Sequence, residues 1–190
     1  METSQLSAYL LLAGVATMLA GFALGLGRSI YRTQNLDERV AIISANRTRW
    51  VASQALLAAS AILSAAGFFA LNIWLYGKAD PWPFTLGAGA MIISAVSGVI
   101  FVYRQIIDPL SSYQGAFRAF EFVYYWLAVG GLLLFGVAFL QADLPVWLGY
   151  LTVAATAAYA IFLAATNVGF ATPGLVFLLS LVIAIVLLGQ

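Results

Sequence analysis

The chain has 190 residues, of which 64% are hydrophobic and 8% are charged. An average soluble domain is roughly 45–50% apolar and about 25% charged. We therefore expect a polytopic membrane protein surrounded by lipids. The sequence has no histidine and no cysteine, which excludes histidine-bound haem or metal, iron–sulfur clusters and thiol catalysis. A formal net charge of +1 argues against a nucleic-acid-binding surface, and we expect neither a cofactor nor a nucleic-acid partner.

Six apolar segments are long enough to cross a membrane, because a spanning helix needs about 20 mainly apolar residues. Their apolar runs are continuous and lack the two-residue alternation of a barrel strand. The sequence therefore predicts a single all-α domain with six transmembrane helices. The predicted spans are Leu6–Leu26, Trp50–Tyr76, Phe84–Ile107, Ala119–Leu140, Val146–Ala165 and Pro173–Leu188.

The first connector is the longest and most polar, and it has helical features of its own. Asn35 is followed three residues later by Glu38, a pair that is typical of a helix start. Leu36, Val40 and Ile43 then recur at helical spacing. We favour a short amphipathic helix in the membrane interface that leads into the second span. The alternative is that this segment simply continues the second span.

The entry to the second span carries a resemblance to known sequences. The stretch reads Ser44-Ala45-Asn46-Arg47-Thr48-Arg49-Trp50 and leads into a run rich in alanine. It resembles the same helix entry in uncharacterised bacterial multi-pass membrane proteins of about this length, which are classed as domains of unknown function. The resemblance implies a bacterial inner-membrane protein and identifies no site residues.

Basic residues fall almost entirely on one side of the predicted bundle. The first, third and fifth connectors, taken with the helix ends beside them, hold all of them except Lys78. Because basic residues favour the cytoplasmic side, we expect these connectors in the cytoplasm, both termini outside, and three helical hairpins. Five of them we expect at the lipid headgroups: Arg28, Arg32, Arg39, Arg47 and Arg49.

Two connectors share a pattern that allows two interpretations. A Tyr-Arg pair precedes a helix-start signal in each, at Asn35 in the first and at Asp108-Pro109 in the third. A threefold internal repeat would produce this pattern, and so would independent helix caps.

Glu121 is the ionisable residue placed deepest in a predicted span, about one turn inside the fourth. Arg118 lies three residues before it, and Arg104 and Asp108 are four residues apart near the same membrane level. We favour an ion-pair cluster of these four residues that ties helix ends together. The alternative is a functional carboxylate that handles a proton or a cation, since charged groups are costly inside a membrane.

The other polar side chains in the spans are neutral and mostly small. We expect the small ones and Gln54 to hydrogen-bond neighbouring carbonyl groups at helix contacts. They are Thr17, Gln54, Ser60, Ser64, Ser94, Ser97, Thr152, Thr156 and Ser180. Asn72 and Asn167 are larger and could line a pocket, although we favour interface positions for both. An aromatic run favours a membrane belt, with a cavity for a flat hydrophobic ligand as the alternative: Phe117, Phe120, Phe122, Tyr124, Tyr125 and Trp126.

Two classes of function remain open. The chain has no nucleophile paired with a base, so we expect no enzyme. The favoured class is a structural, accessory or interaction subunit, associated with a second copy or a larger membrane complex. The alternative is a small transporter, channel or lipid- or hydrophobic-ligand-binding protein. A solid bundle would favour the first class, and a cavity lined by Asn72, Asn167 or Glu121 would favour the second.

Overall fold

A computed structural model describes residues 2–26, 35–109, 117–166 and 172–190. Within these ranges the regular secondary structure is helical, apart from an isolated β-bridge between Tyr76 and Ala79. The all-α prediction is therefore confirmed. The helices are α1 (Thr3–Leu24), α2 (Leu36–Ala45), α3 (Arg47–Leu75), α4 (Pro81–Ile107), α5 (Phe117–Phe139), α6 (Val146–Thr166) and α7 (Thr172–Leu188).

Five of the described helices are long and apolar enough to cross a membrane. They are α1, α3, α4, α5 and α6, and the long α3 has 29 residues. The sixth predicted span corresponds to α7, which has only 17 residues. The described part of the chain is thus all-helical, with five candidate membrane spans and one shorter apolar helix, α7.

The short helix predicted in the first connector is present as α2. The Asn35 side chain caps it by accepting a hydrogen bond of 2.9 Å from the backbone N–H of Asp37. The helix ends at Asn46, and α3 begins at the next residue, so α2 is separate from the second span. Ile43 of α2 is buried against Leu26 and Trp50. The apolar side of α2 therefore covers the ends of α1 and α3.

Asp108 lies at the end of α4. Its backbone N–H donates to the carbonyl of Arg104 at 2.8 Å, and its extended backbone closes α4. Asp108 is therefore a C-terminal cap. Residues 110–116 lie outside the described ranges, so the helix start predicted at Asp108-Pro109 stays a prediction, whereas the one predicted at Asn35 is confirmed.

The helices pack in two close pairs. The most extensive contact is between α1 and α3, followed by that between α4 and α5, and α3 joins the pairs by packing on α4. These pairs correspond to the first two predicted hairpins. The members of the third, α6 and α7, touch only sparsely, because α6 packs on α5 and α7 packs mainly on α1.

Small residues bring α1 and α3 into backbone contact. A Cβ atom added to Gly14 would lie 2.7 Å from the Ser64 hydroxyl oxygen, closer than packed atoms tolerate. The Ser53 hydroxyl donates to the carbonyl of Gly21 at 2.8 Å. Glycine and serine thus allow a helix–helix approach that larger side chains would prevent.

The two ends of the bundle differ in how far large side chains fill the space between the helices. We call the end that contains the α3–α4 turn the turn half, and the end that contains Arg47, Arg49 and Arg104 the basic half. The turn is tight, and Gly77 adopts a φ of 80° in it, which glycine tolerates best. The turn half holds many of the largest fully buried side chains, namely Phe68, Leu71, Leu75, Phe84, Phe135, Phe139 and Leu148.

Candidate functional site

A cavity of about 260 Å³ lies in the basic half. Its walls come from α1, α3, α4, α5 and the first two turns of α7. The α3 wall is a stripe whose members recur every three or four residues, so they share one face of the helix. This stripe is Ser53, Gln54, Leu57, Ser60, Ala61 and Ser64.

The cavity runs along the helices rather than across them. Trp50 and Gln105 line one end, and Ser64 and Met91 line the other. Trp50 and Ser64 are fourteen residues apart on α3, which corresponds to about 21 Å along the helix. The cavity therefore follows about half of the length of α3 and ends where the turn half begins.

The first turn of α3 closes the basic end of the cavity. Arg49 donates through Nε to the carbonyl of Leu24 at 2.6 Å, and Arg47 donates to the carbonyl of Ile106. These carbonyls lie at the C-terminal ends of α1 and α4, where helices leave acceptors unpaired and favour positive charge. The Trp50 ring N–H donates to the carbonyl of Gln105 at 3.3 Å. Two arginines predicted to meet lipid headgroups therefore also tie three helix ends together.

The α3 wall carries polar groups that lack protein partners. Gln54, Ser60 and Ser64 are each at most 7% exposed. None of the three side chains makes a hydrogen bond with any residue that the structure describes. Ser53, by contrast, is satisfied by its bond to α1. All three side chains line the cavity, so their polar atoms are available to a polar group of an occupant.

The α5 wall carries a carboxylate and two aromatic rings. Glu121 is half-buried and lines the cavity together with Tyr124 and Tyr125. The Tyr125 hydroxyl donates to Oε1 of Glu121 at 2.7 Å. The rings of Tyr124 and Tyr125 have their centroids 5.3 Å apart. Glu121 therefore faces an aromatic, largely apolar space.

The packing register of α4 on α5 places Glu121 well inside the bundle. The Ser94 hydroxyl donates to the carbonyl of Tyr124 at 2.8 Å, and the two helices are antiparallel. The same register puts Glu121 level with Ser97, which is ten residues before the end of α4 at Ile107. That separation corresponds to about 15 Å, so Glu121 lies deeper than its position one turn into α5 suggested.

The described residues of the predicted ion-pair cluster lie at different levels along the helix axes. Arg104 is half-buried and Asp108 is exposed near the end of α4, and they lie about 10 Å and about 16 Å further along the helix than the level of Glu121. The side chain of Arg118 lies outside the described part of the chain. The cluster of these four residues therefore stays a prediction, and the described contacts of Glu121 are with Tyr125 and the cavity.

Of the two asparagines proposed as pocket residues, the structure describes Asn72 and not Asn167. Asn72 lies in the turn half, away from the lining, and its buried Oδ1 has no hydrogen-bond partner among the described residues. Asn167, Arg28 and Arg32 lie outside the described ranges. Arg39 is a half-buried residue of α2.

The sequence interpretation of the small polar residues is correct in part. Ser94 hydrogen-bonds a neighbouring helix as predicted, whereas Gln54, Ser60 and Ser64 line the cavity instead. Their signal in the sequence is a polar stripe on one helix face. Periodicity reveals that stripe but does not show whether the facing surface is a helix or a space.

No protein-family model, no curated protein and no solved structure matches this chain. Among the described residues, no group of three or more acidic side chains is placed to hold a metal ion. The function of this protein is therefore inferred from the cavity and the side chains that line it.

Proposed function

We propose that this protein is a multi-pass membrane protein that binds a hydrophobic or amphiphilic molecule in the cavity of its basic half. The observation that carries the proposal is a cavity of about 260 Å³ whose lining includes Glu121. Ligand pockets are typically about 300–1,000 Å³, mostly apolar, with a few convergent polar groups. The cavity is slightly smaller than this range, and its lining of Glu121, Gln54 and apolar side chains fits the rest of that description.

We further propose that α7 is the sixth span. Its 17 residues measure about 26 Å as a helix, close to the lower limit for crossing a bilayer. With six spans, the bias of basic residues places the basic half at the cytoplasmic face of a bacterial inner membrane, with three hairpins and both termini outside. A reporter fused after Gln190 is expected to lie outside the cytoplasm, and a cytoplasmic reporter would refute this topology.

The filling of the turn half supports binding over conduction. Phe68, Phe84 and Phe135 are fully buried there, and the rings of Phe68 and Phe135 lie 4.9 Å apart between centroids. These side chains close the cavity near the middle of the bundle. A molecule in the cavity would thus occupy the depth of one membrane leaflet.

The packing of α7 supports entry from the lipid phase. Pro173, Val176 and Phe177, in the first two turns of α7, line the cavity next to Tyr124 of α5. Yet α7 packs only sparsely on α5 and α6. A sparsely packed seam beside a cavity gives a membrane-dissolved molecule a short lateral route to it.

Filling the cavity tests this proposal. Ala61 lines the cavity, whereas its neighbour Ile62 is 55% exposed on the outside of α3. Native mass spectrometry of the full chain released from membranes is expected to show a bound lipid-like molecule. Ala61→Phe is expected to lose most of this adduct, and Ile62→Phe is expected to keep it.

Two results of the same experiment would contradict the proposal. One is a wild-type chain released without any adduct. The other is an adduct retained by Ala61→Phe to the same extent as by Ile62→Phe, because lipid bound on the outside of the bundle would then explain it.

Association with other membrane chains stays a prediction that is compatible with ligand binding. Helix α6 lies at the periphery and packs mainly on α5. Its outward face carries large apolar side chains, including Tyr150 and Ile161, which are 64% and 71% exposed. Such a face suits lipid or a neighbouring membrane helix.

A further inference from the structure

The described lining of the cavity carries negative charge only. Glu121 is the only charged side chain among the described residues that line it. An ionised carboxylate can accept about four hydrogen bonds, and within the described part of the chain Glu121 accepts one, from Tyr125. Most of its acceptor capacity is therefore available to an occupant of the cavity.

A second polar group lies near the same level on the opposite wall. Gln54 is 6% exposed, lines the cavity and has no hydrogen-bond partner among the described residues. The contact of Trp50 with Gln105 sets the register of α3 on α4 and puts Gln54 level with Phe101. This level is about 6 Å along the helices from that of Glu121. The carboxylate and the Gln54 side-chain amide therefore line the same cavity within about one helical turn of each other along the helix axes.

Aromatic rings surround this polar level. Phe101 of α4 and the rings of Tyr124 and Tyr125 all line the cavity. The faces of such rings attract a cation, and the attraction is strongest where water is excluded. An anion there would instead meet the like charge of Glu121 in surroundings of low dielectric constant.

We infer that the cavity selects a lipophilic cation, an amine or quaternary ammonium group on an apolar body, with Glu121 and Gln54 around its charged head. This inference rests on the proposed binding function and adds the chemical class of the ligand. The charged head would lie at the level of Glu121, and the apolar body would extend toward Met91 along a wall that carries Leu57 and Ala61 beside the hydroxyls of Ser60 and Ser64.

A matched series of probes tests the inference. Dodecylamine, dodecanol and dodecanoate share one chain length and carry a cationic, a neutral and an anionic head. Their binding is measured by calorimetric titration of the full chain in nanodiscs of zwitterionic lipid, with empty nanodiscs as the blank. Wild-type protein is expected to bind dodecylamine most tightly.

The variant Glu121→Gln removes the charge and nearly preserves the shape. It is expected to weaken dodecylamine binding about tenfold to a hundredfold, the range for a hydrogen bond to a charged group, and to change dodecanol binding less than about twofold. Asp108→Asn, which removes an exposed carboxylate outside the lining, is expected to leave all three affinities unchanged.

Two further variants guard against a folding defect. Gln54→Met removes the amide at similar size and is expected to weaken dodecylamine binding about threefold to tenfold. Arg118→Gln removes a positive charge one turn before Glu121 and is expected to leave the affinity for dodecylamine unchanged or to raise it. Circular dichroism melting shows whether each variant is folded.

Three outcomes would overturn the inference and leave the proposed binding function standing. They are dodecanoate binding as tightly as dodecylamine, an unchanged dodecylamine affinity in folded Glu121→Gln, and a loss in Arg118→Gln as large as that in Glu121→Gln. If no probe binds to wild-type protein and no adduct is found by mass spectrometry, the proposed function fails as well.

Discussion

The turn half and the basic half use the same helices but differ in the size of the side chains that face inward. On α3, the inward residues of the turn half include Phe68 and Leu71, whereas those of the basic half include Ser60 and Ser64. The same helix thus changes from large apolar to small polar residues on one face. This change coincides with the end of the cavity.

The difference shows how a bundle of packed pairs can be solid at one end and hollow at the other. In the turn half, Phe68 of α3 meets Phe135 of α5, and the two rings bridge the space between the pairs. In the basic half, the small residues of α3 allow α1 to approach closely but do not reach α5. Close packing within the pairs therefore leaves a space between them.

The largest expected effect is a difference between the two halves in the loss of stability when a buried ring is removed. Phe135 is fully buried in the turn half, and Phe101 is half-buried at the cavity wall. Phe135→Ala is expected to lower the free energy of unfolding by about 3–5 kcal/mol, because it leaves a void in a filled core. Phe101→Ala is expected to lower it by less than half as much, because that ring already borders empty space.

Unfolding in sodium dodecyl sulfate, followed by circular dichroism, measures both losses. Equal losses for Phe135→Ala and Phe101→Ala would mean that the two halves are packed equally well. The contrast drawn between the halves would then be wrong.

Much of the fold follows from local features of the sequence. Continuous apolar runs predict the long helices because a helix satisfies its own backbone hydrogen bonds in an apolar medium. Asn35 predicts the start of α2 because its side chain caps the helix locally. The pairing of α6 and α7 could not be predicted in this way, because it depends on which surfaces α1 and α5 leave uncovered.

The candidate site could be predicted only in part. Glu121 is conspicuous as an ionisable residue in an apolar span, but its partner depends on how α5 packs on its neighbours. Asn72 is conspicuous in the sequence as a large polar residue, but it lies in the turn half. Gln54, which lines the cavity, has similar chemistry, so residue type alone could not separate them. Tertiary packing decides which amide faces a cavity.

The smallest expected effect tests whether the polar side chains of the cavity wall bind an occupant or hold helices together. Ser53 and Ser60 lie two turns apart on the same face of α3, and both are buried. The Ser53 hydroxyl donates to the Gly21 carbonyl, so Ser53→Ala is expected to lower the free energy of unfolding by about 1 kcal/mol. Ser60 has no such bond within the described part of the chain, so Ser60→Ala is expected to leave the stability of the empty protein unchanged or slightly raised.

The two serines therefore serve as controls for each other in the same denaturation assay. If a ligand bonds the Ser60 hydroxyl, Ser60→Ala is expected to weaken ligand binding while leaving the stability of the ligand-free protein intact. A loss of stability in Ser60→Ala as large as that in Ser53→Ala would show that both hydroxyls hold helices together. Both serines would then belong to helix packing, and the polar stripe of α3 would no longer point to an occupant.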